Sequence, residues 1–173
     1  MSNISKKDLR NSIIAGLGSV EDKVILDSIN QLREEGKPED VNILLDLMVS
    51  TTSNEIQTTI HQFLADLKSQ EAEKFIVEAI RNDKYLAIRK NLVSVCWESS
   101  VNFSNSISTF VDLLIEADFE TSFEAFTVIE NLSEKISDEI KPIEQAKLKN
   151  AIAAASLEKK GMLHEAIHLI DQL

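Results

Sequence analysis

The residues of this chain whose types and spacing could do chemistry stand near its C-terminal end. His164, Glu165, Ala166, Ile167 and His168 read His-Glu-x-x-His. On a helix the two imidazoles lie one turn apart on one face, where they can share a zinc ion while the glutamate activates a water. That is the chemistry of a metal-dependent hydrolase, with His164 and His168 as ligands and Glu165 as base. A zinc protease needs a third protein ligand, and only Leu169 to Leu173 follow in the sequence. Asp171 could serve, but three ligands on one terminal helix leave no walled cleft. The remaining histidine, His61, lies far upstream. The same stretch fits an amphipathic packing helix with Leu163, Ala166, Ile167, Ile170 and Leu173 inward and both histidines at the edge of the apolar stripe. Packing is the preferred reading. No metal, no cofactor and no catalysis are expected.

Other chemistry is equally thin. Cys96 sits in the apolar run Leu92 to Trp97, away from any histidine in sequence, and reads as a buried thiol that is not a nucleophile. No Gly-rich phosphate loop, Ser-His-Asp order or Cys-x-x-Cys occurs. The acidic run Asp112, Glu116, Asp118, Glu120, Glu124 lacks the glycine and loop spacing of an EF-hand, so it reads as a solvated acidic rim. Trp97, Tyr85 and Phe103 could anchor an interface, although Trp97 directly follows a buried-looking run and core packing is favoured.

The elements that must position these residues are helices. With 4 glycines and 2 prolines in 173 residues, the chain is too poor in turn formers for a strand-and-turn fold. Hydrophobic residues at 43% exclude a disordered chain. The 29 acidic against 18 basic residues give a net charge of -11, and no Lys or Arg run exceeds two. Neither nucleic acid nor an anionic membrane is therefore an expected partner. No stretch approaches the ~20 apolar residues that span a bilayer. The polar N-terminal stretch Met1 to Ser12 has no secretory core, and one cysteine suits a reducing compartment, so a cytoplasmic protein is expected.

Apolar residues recur at helical spacing almost throughout. Leu9, Ile13, Ile14 and Leu17 mark a first helix closed by Gly18. Val24, Ile25, Ile29 and Leu32 mark a second, with Gly36 at its C′ position and Pro38 opening the next. A third carries Val41, Leu44, Leu45 and Met48, and Ser53 is placed to N-cap a fourth with Ile56, Ile60, Phe63, Leu64 and Leu67. Ala72, Phe75, Ile76, Ala79 and Ile80 give a fifth; Leu86, Ile88, Leu92, Val95 and Cys96 a sixth. Ile107, Phe110, Val111 and Leu114 give a seventh; Phe123, Phe126, Ile129 and Leu132 an eighth. A longer ninth runs from about Asp138 to Lys160, where Gly161 separates it from a short tenth in a hairpin of half-matched tetratricopeptide type.

The helices recur in pairs. Ile29/Leu32, Ile60/Phe63, Leu92/Val95 and Ile129/Leu132 hold equivalent places, at intervals of 31, 32 and 37 residues from Ile29 to Ile60 to Leu92 to Ile129. A two-helix unit of this length cannot bury its own apolar face, so neighbours must stack into a shared core.

The stretch Lys37 to Leu67, followed by Ser69 to Trp97, resembles two successive HEAT repeats: a Leu-rich helix, a short polar turn, and a second helix opening on an aliphatic-Arg pair. Ile88-Arg89 fills that pair, Ile56-Gln57 fills it without the arginine, and the turn prolines are missing. The resemblance covers about Asp22 to Trp97 and fades towards the C-terminus. Length fits a single domain over residues 1–173 and the spacing makes it all-α; the resemblance implies an α-α superhelix (right-handed solenoid) of four to five HEAT-like hairpins, with Arg89 bonding turn carbonyls or acids of the adjacent repeat. It also implies a non-catalytic scaffold whose second helices line a concave face that holds another protein, in this acidic chain a basic segment of one. By helical position, Asn30, Arg33, Gln57, His61, Lys90, Ser94 and Glu130 are the candidates for that face. A HEAT-like protein that repairs alkylated bases would instead need a basic groove.

Overall fold

The computed structural model describes residues 6–173, the side chain of Glu35 excepted. The first residues of the polar N-terminal stretch lie outside the described residues. Among those described there are ten α-helices and no strand: α1 (Lys6–Leu17), α2 (Asp22–Glu35), α3 (Val41–Ser50), α4 (Asn54–Ala65), α5 (Ala72–Arg81), α6 (Arg89–Glu98), α7 (Ile107–Glu116), α8 (Phe119–Asn131), α9 (Ile140–Ile152) and α10 (Leu157–Gln172). The fold is all-α. None of these helices is long and apolar enough to cross a membrane.

Each odd helix packs on the even helix after it, giving five pairs from α1·α2 to α9·α10. Even helices also touch in succession, α2 on α4, α4 on α6, α6 on α8 and α8 on α10, while α3 meets α5 and α7 meets α9. The core is the seam between the two rows. Ile29, Leu32, Ile60, Leu92, Val95 and Ile129 are all buried there, with Phe63 close behind and Leu132 half-exposed at its edge. The spacing read from the sequence therefore follows the buried seam. One pair is fitted unusually closely: a Cβ on Gly16 would lie 2.1 Å from Ser28 Oγ, so glycine is what lets α1 approach α2.

Several elements differ from their sequence-based expectation. The ninth helix ends at Ile152, and the break falls at 153–156 rather than at Gly161. Ser156 N-caps α10, its hydroxyl accepting the Lys159 N–H at 3.4 Å, and this start signal lies ahead of Gly161. Gly161 is an interior residue of α10 with open space where its Cβ would be, so the hairpin of tetratricopeptide type with a break at Gly161 is overturned. Gly36 caps α2 through its N–H to Leu32 O at 2.8 Å in extended backbone (φ -74°), not in the left-handed form expected at C′. Leu86 lies in a 3-10 turn before α6 and is exposed. On α8 the buried stripe is Thr121, Ser122, Ala125, Val128 and Ile129, which turns Phe123 outward at 51% exposure.

Candidate functional site

The outer surface of the even helices carries most of the polar residues selected from the sequence. α4 enters from Ser53, which stands at the N-cap but makes no side-chain cap bond. Its inward residues Ile56, Ile60, Phe63 and Leu64 fix its rotation, leaving Gln57 and His61 half-buried at the edge. α6 buries Leu92, Val93, Val95 and Cys96, which leaves Lys90, Ser94 and Trp97 together on its outer face at i, i+4 and i+7.

These faces meet in one open groove of about 450 Å³, lined by Asn54, Gln57, Thr58 and His61 of α4, Asn91, Ser94, Trp97 and Glu98 of α6, and Glu124 of α8. His61 Nε2 and Glu98 Oε2 are 2.9 Å apart, bridging α4 to α6. The Trp97 indole N–H donates to Glu124 Oε2 at 2.8 Å, bridging α6 to α8. Gln57 Nε2 donates to Thr51 O at 3.2 Å, and Ser94 Oγ to Asn91 O at 3.0 Å.

Of the seven candidates, Gln57, His61 and Ser94 are thus brought together. Lys90 is exposed on the same face of α6 and donates to Glu120 at 2.6 Å; that carboxylate holds its ammonium above the ordinary value. Arg33 is drawn into an ion pair with Asp66, and its guanidinium lies 5.6 Å from the centre of the Phe63 ring. Asn30 lines a separate hollow with Leu9, Ile13, Asp27, Gln31 and Glu34. Glu130 is exposed on α8 outside the groove lining.

Six lining residues, Asn54, Thr58, Asn91, Trp97, Glu98 and Glu124, are not selected by helical position alone. Trp97 follows an apolar run that favours the core, but it stands 38% exposed. The signal that places it is its i+3 and i+7 spacing from Ser94 and Lys90. Tyr85 and Phe103, grouped with it as anchors, are both buried. Cys96, one position earlier, is buried, and desolvation pushes its thiol well above the ordinary range, with Glu73 adding to the shift. Arg89 Nη2 donates to Asp83 Oδ1 at 3.2 Å, an acid of its own turn rather than of the adjacent repeat, and its buried Nε has no hydrogen-bond partner.

The acidic run does not act as one cluster. Asp118 N-caps α8, Glu120 and Glu124 pair with Lys90 and Trp97, and Asp112 accepts from Lys147 at 2.8 Å. The histidine motif is elsewhere again. His164, Glu165 and His168 stand on α10 with His164 and Glu165 exposed and His168 exposed too, while Leu163, Ala166 and Ile170 are buried beneath them and Ile167 and Leu173 pack at the edge. Asp171 takes a long hydrogen bond from Gln145 at 3.4 Å. Among the described residues no group of three or more His, Cys, Asp or Glu side chains is placed to hold a metal ion.

No family model, curated protein or solved structure matches this chain.

Proposed function

We propose that the chain is a HEAT-like array of helical hairpins, wound as a right-handed superhelix, that binds another protein through the outer face of its even helices and performs no catalysis. The observation that carries this reading is the groove across α4, α6 and α8, where polar and aromatic side chains from three successive hairpins converge on open space. The pairing of each even helix with the next supports an array in which each unit rests on its neighbours. The long-range side-chain bonds agree: Arg33–Asp66, His61–Glu98, Lys90–Glu120 and Asn102–Glu134 join residues 33, 37, 30 and 32 positions apart, close to one repeat each time.

Hydrolysis at His164, Glu165 and His168 is the competing reading, and its three residues stand exposed on one helix. The test is affinity capture from the native cell with three baits: the wild type, Gln57→Arg/Ser94→Arg in the groove, and Glu78→Arg on the odd row. The reading expects partners retained by the Glu78 variant and lost by the groove variant. Equal capture by all three would refute it.

A further inference from the structure

The chemistry of the even-helix face also limits what it can select, given the reading that this face binds a partner. Among the described residues the groove lining holds two carboxylates, Glu98 and Glu124, and neither lysine nor arginine. The same lining holds Trp97, the chain's one tryptophan, with 38% of its surface exposed. All three side chains are held. Glu98 is fixed by His61 at 2.9 Å and Glu124 by the indole N–H at 2.8 Å, each through Oε2. A carboxylate offers about four acceptor positions over its two oxygens, so Oε1 of each is the atom offered to a ligand.

The cation that best matches a flat indole beside two carboxylates is a guanidinium. It stacks on an aromatic face, forks to carboxylate oxygens, keeps its charge at every accessible pH and sheds water more readily than an ammonium. The groove extends over three helices and is far larger than a guanidinium alone, which fits a longer chain carrying that group. The net charge of -11 draws such a segment in.

We propose that Trp97, Glu98 and Glu124 form an arginine-recognition site that takes one arginine side chain from an extended segment of a partner protein. Because there is a single tryptophan, its fluorescence reports this site alone. The full chain is titrated with blocked peptides alternating Arg with Ser, Lys with Ser, and Glu with Ser. The Arg peptide should give a saturable change in Trp97 emission and bind more tightly than the Lys peptide, with no change from the Glu peptide. Glu98→Gln/Glu124→Gln keeps an acceptor for both His61 and the indole, so it should retain the wild-type melting temperature while binding the Arg peptide about tenfold more weakly.

Absence of a saturable change, equal binding of the Arg and Lys peptides, or wild-type affinity in the double Gln variant would each overturn the site. If groove-dependent partners are captured while the Arg peptide stays silent, this site fails and the broader reading stands. If the groove variant captures every partner of the wild type, the broader reading fails on its own test.

Discussion

Cys96 and Trp97 are neighbours in sequence and opposites in exposure. One residue of a helix is about 100° of rotation, enough to carry a side chain from the seam to the rim. The apolar run that hides Cys96 gives Trp97 the same look in sequence, and only the phase set by Lys90 and Ser94 tells them apart. Asp118 makes its contribution at the same scale. Its carboxylate accepts from the Thr121 N–H at 3.0 Å and from the Thr121 hydroxyl at 2.8 Å, and these bonds hold it below the ordinary 3.8. A depressed carboxyl pKa stabilises the fold above the ordinary value, and that stability is lost as pH falls through the lower folded value. Asp118→Ala should therefore cost about 1 kcal/mol at neutral pH, the usual loss of an N-cap. Asp118→Asn should keep most of the cap while flattening the loss of stability below pH 3.8, both read by chemical denaturation across pH.

At the scale of elements, the type and number of helices were legible because apolar residues recur at helical spacing from Leu9 to Ile170. What was not legible is where competing signals exist. Gly161 reads as a stop, yet Ser156 supplies a better start five residues earlier, and an exposed glycine inside a helix is tolerated at a cost of about 1 kcal/mol. Gly161→Ala should accordingly raise stability by about 0.5–1 kcal/mol, because the new Cβ meets nothing within 4 Å and the unfolded chain loses freedom. If the helix did break at Gly161, as the sequence alone suggests, the same substitution would not stabilise. Thermal denaturation of the pair distinguishes the two. Phe123 shows a second kind of ambiguity. Three aromatic or aliphatic residues spaced by three, Phe123, Phe126 and Ile129, look like a stripe, but the small residues Ser122 and Ala125 are the ones that let α8 sit close on α6 and α7.

At the scale of the whole molecule, the apolar repeat predicts stacked hairpins, while the polar ties between hairpins recur at a similar interval without a shared residue type. Gln70, Asn102 and Glu134 are the clearest example. They occupy the loops after α4, α6 and α8, 32 residues apart each time, and are joined in a chain: the Asn102 N–H donates to Gln70 Oε1 at 2.9 Å, and Asn102 Nδ2 donates to Glu134 at 2.7 Å. Three unlike residue types serve one position, so similarity of sequence could not reveal them. Buried carboxylates tie the first and last hairpins to their neighbours. Buried Asp40 is gripped by Arg10, at 2.7 Å through Nη1, and by the Lys37 N–H at 2.8 Å. Buried Glu144 on α9 accepts from Ser108 on α7 at 2.7 Å, and Lys147 on α9 donates to Asp112 on α7 at 2.8 Å.

In the proposed array each unit leans mainly on its neighbours, so damage stays local. Asp40→Ala should cost about 2 kcal/mol, and hydrogen exchange should show the lost protection confined to α1 to α4. Uniform loss through α9 and α10 would mean a single cooperative core instead.

Whether a partner sits on the face built by the even helices is decided by photo-crosslinking in the native cell. A photoreactive amino acid is placed at Ser94 in the groove or at Glu78 on the odd row, and the covalent adducts are compared. Discrete protein adducts are expected from position 94, suppressed by excess Arg-Ser peptide, and none of these from position 78. Adducts from position 78 with none from position 94 would contradict a binding face on the even helices.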